Sequence, residues 1–411
     1  MPQDLIRDRA GAAPYVRPFL DALDRMQDRR TVHPEQLAEH ARSLLIETFG
    51  AAGERPDAAF SHGGTGLIGD HTHYFDGFAL LSTLPMGAAV ALRANPADQS
   101  SIIFEGGGEA TTFDLSQGPP QDVPIWIRLT ADVVRHLAAP GQQIEAAAVS
   151  SVPASCVDAY VSSLAVAAAR ACQSVFARSD GRSELETLVR GVISEDLDVP
   201  FGIAHVVAAE SAQPESFSLV DARTRERLPV DAPSRDVVGW GLIDVGMGLL
   251  RESAFHSERA EQADEATSIL KKKGFSTLTS LRELEHRDLH RALEMLPRKL
   301  RPIVRHLVTE NRRVQKLVVA VRRRDWQMFG ALLLMSHASH QKDWDGTNAM
   351  VDLVVREAET MSLEGMYGAC MTGRGGCVLV VGQPFIVPRC LDRAQEALRE
   401  QFEIDADVML L

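Results

Sequence analysis

Predicted strands and helices interleave along this chain without the regular alternation that a doubly wound parallel sheet requires. In the first half, apolar stretches predict strands at residues 79–92, 101–104 and 144–153, and helical patterns fall at 126–138 and 158–176. A chain of 411 residues with 45% hydrophobic residues can bury a sizeable core and form two lobes. The pattern therefore supports an α+β fold of two lobes.

The rest of the chain continues this irregular pattern. Apolar positions recur every three or four residues over 34–49, which predicts a helix that Gly50 ends. A long helical tract is predicted over 258–340, with breaks at Lys273-Gly274 and Asp288. The remaining predictions are strands at 217–221, 239–245, 368–371, 377–381 and 408–411 and a helix at 391–402.

Charge and composition bear on partners and compartment. A net charge of −13 and a pI near 5.5 give no general attraction to nucleic acid or to an anionic membrane. We expect neither secretion nor membrane insertion, because the N-terminus has no apolar signal core and no stretch approaches roughly 18 uninterrupted apolar residues. The five cysteines are odd in number and lack paired metal spacing, which predicts a reduced, cytoplasmic setting. The sequence leaves the oligomeric state open.

A glycine-rich segment, GGTGLIGDHTHYFDG at residues 63–77, follows a predicted strand at 58–65. It resembles the sugar-binding signature near the N-terminus of galactokinases, with the Leu-Ile-Gly, His-Thr and Tyr steps in register. Further segments match in the same order, namely Trp126 with Val133-Val134, residues 149–153, 199–203 and 368–377. Over about residues 31–411, the chain is identified as a galactokinase-like member of the GHMP kinase superfamily.

This resemblance implies two α+β lobes with sugar and nucleotide in the cleft between them. It assigns residues 31–205 to the N-terminal lobe and 206–411 to the C-terminal lobe. Residues 1–30, which are charged with scattered apolar positions, are predicted to form a helical extension. The resemblance also suggests which residues bind substrate, with Arg374 holding any phosphate or carboxylate; they are Asp70, His71, Tyr74, Asp76, Trp344 and Arg374.

Several positions depart from the family pattern. The loop after Pro153, which in GHMP kinases wraps the ATP phosphates with glycine backbone, has no glycine and carries Asp158, whose carboxylate would repel triphosphate. Gly64 stands where galactokinases have an arginine that organises the transferring phosphate. His205 replaces the carboxylate that orients or deprotonates the accepting hydroxyl. We therefore expect ordinary ATP-dependent sugar phosphorylation to be lost, which makes ATP doubtful as a cofactor.

The replacement residues suggest histidine chemistry in the old sugar pocket. His73 stands where a signature aspartate contacts sugar hydroxyls, and the resemblance turns both His73 and His205 toward that pocket. An imidazole pKa near 6.5 suits proton transfer at neutral pH. We predict that these two histidines act as acid and base in an isomerase, lyase or hydrolase type of reaction on a sugar or sugar-derived small molecule.

Other interpretations remain open. The protein can be a non-catalytic sugar sensor or scaffold, or a divergent sugar kinase that still uses ATP. The histidines can also bind a divalent metal, although no metal is assigned because spacing does not predict a ligand set split across loops. The candidate metal ligands are His73, His205, His62, Asp70 and Asp76. His337 and His340, three residues apart on a predicted helix, are interpreted as a helix-surface pair.

Overall fold

A computed structural model describes residues 33–51, 55–120, 122–213 and 216–411. The helical extension predicted at 1–30 lies outside the described residues. Helix α1 (Pro34–Phe49) begins with a proline, whose missing N–H is not needed at that position, and ends at Gly50 with φ of +86°. The helix predicted over 34–49 is confirmed.

The larger sheet is built around β2, an 18-residue strand. Its strands are β1 (Asp57–Ile68), β2 (Phe78–Asn95), β3 (Ser100–Phe104), β4 (Thr111–Phe113), β5 (Gln143–Ser150), β6 (Ser216–Asp221) and β7 (Glu226–Asp231). The order is β4-β3-β5-β2-β6-β7, with β1 also paired to β2, and every pair is antiparallel except β3 with β5. Strand β1 follows one edge of β2, while residues 78–82 of its other edge pair with β6 and residues 88–95 with β5.

Four helices accompany the strands of this sheet, and α3 has the largest number of buried residues among them. They are α2 (Ile125–Leu137), α3 (Val157–Val175), α4 (Arg182–Leu197) and α5 (Ala204–Glu210). Small side chains such as Ala165, Ala167 and Ala168, all fully buried, let α3 pack closely against β1 and β2. This packing places the first turn of α3, which contains Asp158, deep inside the molecule.

The smaller sheet has four strands in the order β11-β8-β10-β9, all antiparallel. The strands are β8 (Gly239–Leu249), β9 (Met366–Thr372), β10 (Gly375–Gly382) and β11 (Asp407–Leu410). The helices of this half are α6 (Ser253–Lys272), α7 (Leu289–Met295), α8 (Arg301–Arg323), α9 (Trp326–Ser339), α10 (Ala349–Thr360) and α11 (Val387–Phe402). The predicted helical tract is thus divided as expected, at Gly274 with φ of +123° and at a short 3-10 turn, His286–Asp288.

Two sheets with helices around each make an α+β fold, so the predicted fold class is confirmed. The lobe boundary at residue 205 stays a prediction, and strands β6 and β7, which follow it, belong to the larger sheet. Within the described ranges, no helix is both long and apolar enough to cross a membrane.

Candidate active site

The glycine-rich segment after β1 forms a tight turn that carries the predicted sugar-binding side chains. Gly69 adopts φ of +93°, and its N–H donates to Glu310 Oε1 at 3.1 Å. The Thr72 hydroxyl closes the turn by donating to the carbonyl of Phe78 at 2.6 Å. A Cβ at Gly66 would lie 1.8 Å from Asp70 Oδ1, so glycine at position 66 leaves the space that this carboxylate occupies.

Asp70 joins the two halves of the molecule. Its Oδ2 accepts a hydrogen bond of 2.8 Å from the backbone N–H of Gly373, which follows β9. Close by, the hydroxyls of Thr65 on β1 and Thr372 on β9 are 2.7 Å apart. The site therefore lies where the turn after β1 meets the loop between β9 and β10.

His205, the second residue of α5, faces the carboxylate of Asp70. Its Nδ1 donates to the carbonyl of Gly64 at 2.9 Å, and its Nε2 lies 3.7 Å from Asp70 Oδ1. Burial opposes a charged imidazole here, but the nearby carboxylates of Asp70 and Asp158 outweigh it, so the pKa of His205 is raised. The cationic form of His205 is thus more stable beside Asp70 than it is in a free histidine.

His73 behaves in the opposite way, although its ring centroid is only 5.4 Å from that of His205. It is 3% exposed, and neither of its ring nitrogens has a hydrogen-bond partner among the described residues. Burial, together with the nearby charge of His205, lowers the pKa of His73 to about 3. A Cβ at Gly202 would lie 1.9 Å from His73 Nδ1, so glycine at position 202 makes room for the ring.

His71 holds a second part of the site. Its Nδ1 is hydrogen-bonded to the Tyr74 hydroxyl at 2.8 Å, and its ring stacks on Trp344 with centroids 4.5 Å apart. Trp344 is fully buried, so its ring supports His71 and presents no open face to a ligand in this conformation. Burial lowers the pKa of His71 well below its ordinary value.

Arg374 lies between the two halves and is only 2% exposed. Its Nε is 3.0 Å from Asp158 Oδ1, and its Nη1 donates to the carbonyl of Pro200 at 3.0 Å. The guanidinium carbon lies 5.8 Å from the Tyr74 ring centroid and 5.5 Å from that of Phe201. The structure therefore brings Arg374 together with the sugar-binding turn and the first turn of α3.

Two candidates from the sequence lie elsewhere. The Asp76 side chain is 50% exposed, with Arg223 Nη2 at 3.7 Å, and His62 Nδ1 is 3.0 Å from the carbonyl of Leu84. Across the ranges that the structure describes, no group of three or more His, Cys, Asp or Glu side chains is arranged to hold a metal ion.

A cluster of buried histidines around His71 was missed by the sequence reasoning. The rings of His340, His306 and His256 have centroids 4.9, 6.2 and 6.2 Å from that of His71. Interpreting His337 and His340 as a helix-surface pair is wrong, because they are 5% and 1% exposed. His337 Nε2 contacts Asp352 Oδ1 at 3.0 Å. The apolar residues on every side of α9 were the available signal for its burial.

Comparison with known proteins defines the class. Residues 44–94 match the family model described as the galactokinase galactose-binding signature. A galactokinase from Bos taurus is 28% identical over 378 residues, covering 88% of this chain and 92% of that protein. Among solved structures, Lactococcus lactis galactokinase complexed with galactose superposes with a TM-score of 0.82 at 22% identity, covering 90% of this chain and 96% of that chain. A mevalonate kinase superposes with a TM-score of 0.54 at 11% identity, covering 86% and 98%.

The two-sheet fold, with its site at the junction of the halves, is that of the GHMP kinases. Within that class, the signature match and the relatives along most of the chain make this chain similar to the galactokinases. The chain is galactokinase-like in sequence and has the fold of the GHMP kinases.

These comparisons correct one expectation from the sequence. The expectation that ATP-dependent sugar phosphorylation is lost, in favour of acid/base catalysis by His205 and His73, is wrong, because relatives named galactokinase match most of the chain. The surroundings of the two histidines also differ, because the pKa of His73 is lowered to about 3 whereas that of His205 is raised.

Proposed function

We propose that this protein is a divergent galactokinase-type sugar kinase, which transfers the terminal phosphoryl group of ATP to a hydroxyl of a sugar. The observation that carries the proposal is the similarity to galactokinases over 88% of the chain, joined to a turn that presents Asp70, His71 and Tyr74 at the junction of the two halves. Phosphoryl transfer depends mainly on positioning the accepting hydroxyl and on stabilising charge at the transferring group.

Asp70 is the residue that orients the accepting hydroxyl. Its Oδ2 is held by the Gly373 N–H, whereas its Oδ1 accepts no hydrogen bond from the described residues. A sugar hydroxyl can donate to Oδ1, and the nearby carboxylates of Asp70 and Asp158 stabilise the cationic form of His205 beside it. His71 and Tyr74 offer further polar groups to the sugar, and Trp344 fixes the His71 ring from behind.

The site must open to admit both substrates. Asp70, His73, His205 and Arg374 are each no more than 4% exposed, so the conformation described here is closed around them. The polar contacts across the site are Asp70 with Gly373, Thr65 with Thr372 and Asp158 with Arg374. Apolar residues of both halves also pack in one core, so we expect the site to open by a local movement of the loop between β9 and β10 and not by separation of the halves.

The proposal also fixes the donor and the compartment. ATP, as its magnesium complex, is the phosphoryl donor that a sugar kinase requires. The expected reducing environment of the cytoplasm rests on the odd number of cysteines and on their lack of paired spacing.

The test is ADP release measured with Mg-ATP and a panel of neutral hexoses, amino sugars, hexuronic acids and deoxy sugars. The proposal predicts ADP release that depends on one class of sugar, with formation of one equivalent of sugar phosphate seen by mass spectrometry. ADP released equally with and without sugar, or no ADP with any sugar, would contradict it.

A further inference from the structure

Arg374 and Asp158 form a buried ion pair at the first turn of α3, the turn that follows the phosphate-loop segment. Their side chains are 1% and 4% exposed. The loop that carries Arg374 rests directly on this turn: a Cβ at Gly373 would lie 2.6 Å from Asp158 Oδ2, and one at Gly375 would lie 1.8 Å from the carbonyl of Ser155. Glycines at 373 and 375 therefore allow the guanidinium to reach the N-terminus of a 19-residue helix.

This ion pair leaves hydrogen-bonding groups unused. Arg374 Nε and Nη2 and Asp158 Oδ1 are buried and have no hydrogen bond of good geometry within the described residues, although Nε and Oδ1 are 3.0 Å apart. Burial alone would raise the pKa of Asp158, but Arg374, His205 and His73 together lower it, so the carboxylate is charged. A buried pair that is not fully hydrogen-bonded is a poor source of stability, which suggests that it has another purpose.

The surroundings of the guanidinium suit an anion better than they suit one carboxylate. The N–H groups of the first turn of α3 and the partial positive charge of its N-terminus favour a phosphate. Arg374 offers planar, paired donors that match phosphate oxygens. His205, whose pKa is raised, lies on the other side of Asp70 and adds positive charge there when it is protonated.

We propose that Arg374 binds and stabilises the transferring phosphate of ATP, and that Asp158 occupies the guanidinium until the nucleotide displaces it. The inference rests on the proposed sugar-kinase function and adds a catalytic residue to it. Arg374 takes the part of the arginine that is absent at Gly64, but it approaches from the loop between β9 and β10. Asp158 acts as a competing internal anion, so that the closed site holds balanced charges before substrates enter.

Removing each partner should have opposite effects on nucleotide binding. In D158N, Arg374 loses its competing anion and the site loses a charge that repels triphosphate, so the Kd for Mg-ATP should fall by about tenfold. In R374Q, the Kd should rise by about tenfold and kcat should fall by a factor on the order of 100 or more. R374K keeps the charge without the paired donors and should recover only part of kcat.

The experiment is calorimetric titration with Mg-ATP of the wild type, D158N, R374Q and the double variant D158N/R374Q, with kcat measured for each. The double variant has a neutral pair of similar shape, so it controls for loss of folding, which thermal unfolding checks in all four proteins. The decrease in Kd caused by D158N should be smaller in the R374Q background, because Asp158 and ATP then have no guanidinium for which to compete.

The outcomes separate the inference from the proposed function. Sugar phosphorylation by the wild type with unchanged Kd and kcat in R374Q would overturn the inference and leave the function standing. No phosphorylation, but Mg-ATP binding that depends on Arg374 and tightens in D158N, would overturn the function and support the phosphate site. If D158N lowers the Kd for Mg-ATP equally with and without Arg374, Asp158 acts only by repelling the triphosphate, and the proposed competition for Arg374 is wrong.

Discussion

The Nε2 atom of His205 lies 3.7 Å from Oδ1 of Asp70, and both side chains are less than 5% exposed. The other nitrogen of the same ring donates to the carbonyl of Gly64, so oxygen atoms face the imidazole from both sides. This arrangement raises the pKa of His205 and so stabilises its cationic form next to Asp70, the residue proposed to orient the sugar hydroxyl.

Replacing His205 with glutamine should reduce kcat by about a hundredfold, because the neutral amide no longer balances the charge of Asp70. The fold should survive, since a glutamine N–H can still reach an acceptor near Gly64. Steady-state kinetics checks the effect, and H62Q is the matched control because His62 contacts Leu84 away from the site. Equal loss of kcat in both variants would contradict the assigned role.

The buried histidines predict a loss of stability in acid. The pKa of His73 is about 3 and that of His256 about 4 in the folded protein, whereas an unfolded histidine titrates near 6.5. Between these values the unfolded chain binds more protons, so the free energy of unfolding falls as the pH drops below 6.5. His73 alone should lower the free energy of unfolding by on the order of 3 kcal/mol between pH 7 and pH 4.

Urea unfolding at pH 7 and pH 4 checks this prediction. H73Q should lose less stability than the wild type over that interval, because glutamine does not titrate. H290Q serves as the control, since the His290 side chain is 89% exposed. If H73Q and the wild type lose stability in parallel, burial of a neutral His73 is not the cause.

A methyl group at Gly202 should damage the site through His73. The added Cβ would lie 1.9 Å from His73 Nδ1, so the His73 ring must move in G202A and disturb His205, whose ring centroid is 5.4 Å away. We expect kcat to fall at least tenfold and the free energy of unfolding to fall by about 1–3 kcal/mol because of overpacking. G191A is the control, because a Cβ at position 191 would have no neighbouring atom of the described residues within 4 Å. Alanine in place of this glycine within α4 should raise the free energy of unfolding by about 0.5–1 kcal/mol. Normal activity in G202A would contradict the placement of His73.

Truncation of Trp344 should destabilise the protein and loosen sugar binding together. Trp344 is fully buried and stacks on His71 at 4.5 Å, so W344A removes a large packed ring and the support of a sugar contact. The free energy of unfolding should fall by about 3–5 kcal/mol. W344F should regain most of the lost free energy of unfolding and should have a KM for the sugar close to that of the wild type. Thermal unfolding and steady-state kinetics measure these two quantities. A rise in KM with no loss of stability would show that Trp344 contacts sugar directly.

Much of the fold could be predicted from local sequence, because long apolar strands such as β2 and helices such as α1 carry clear periodicity. Strand β7 was missed, since ERLPVD contains a proline and charges that argue against a strand. The proline is tolerated because β7 lies at the edge of the larger sheet, where a missing backbone N–H costs little stability.

The site was only partly predictable for a different reason. Asp70, His71 and His73 follow one another in a recognisable segment, so register alone identified them. The contact between Asp158 and Arg374 joins residues 216 positions apart, and no local pattern encodes it. The expectation that phosphoryl transfer is lost rested on the loop without glycine, on Gly64 and on His205, and the similarity to galactokinases along most of the chain contradicts it.

Transfer of radioactive phosphate from [γ-³²P]ATP tests the central claim most directly. The protein is incubated with labelled Mg-ATP and galactose or the best sugar from the panel, and the products are separated by chromatography. The account predicts label in a sugar phosphate, at a rate that falls at least tenfold in R374Q. Label that remains in ATP, or appears only as inorganic phosphate with every sugar, would contradict the assignment as a sugar kinase.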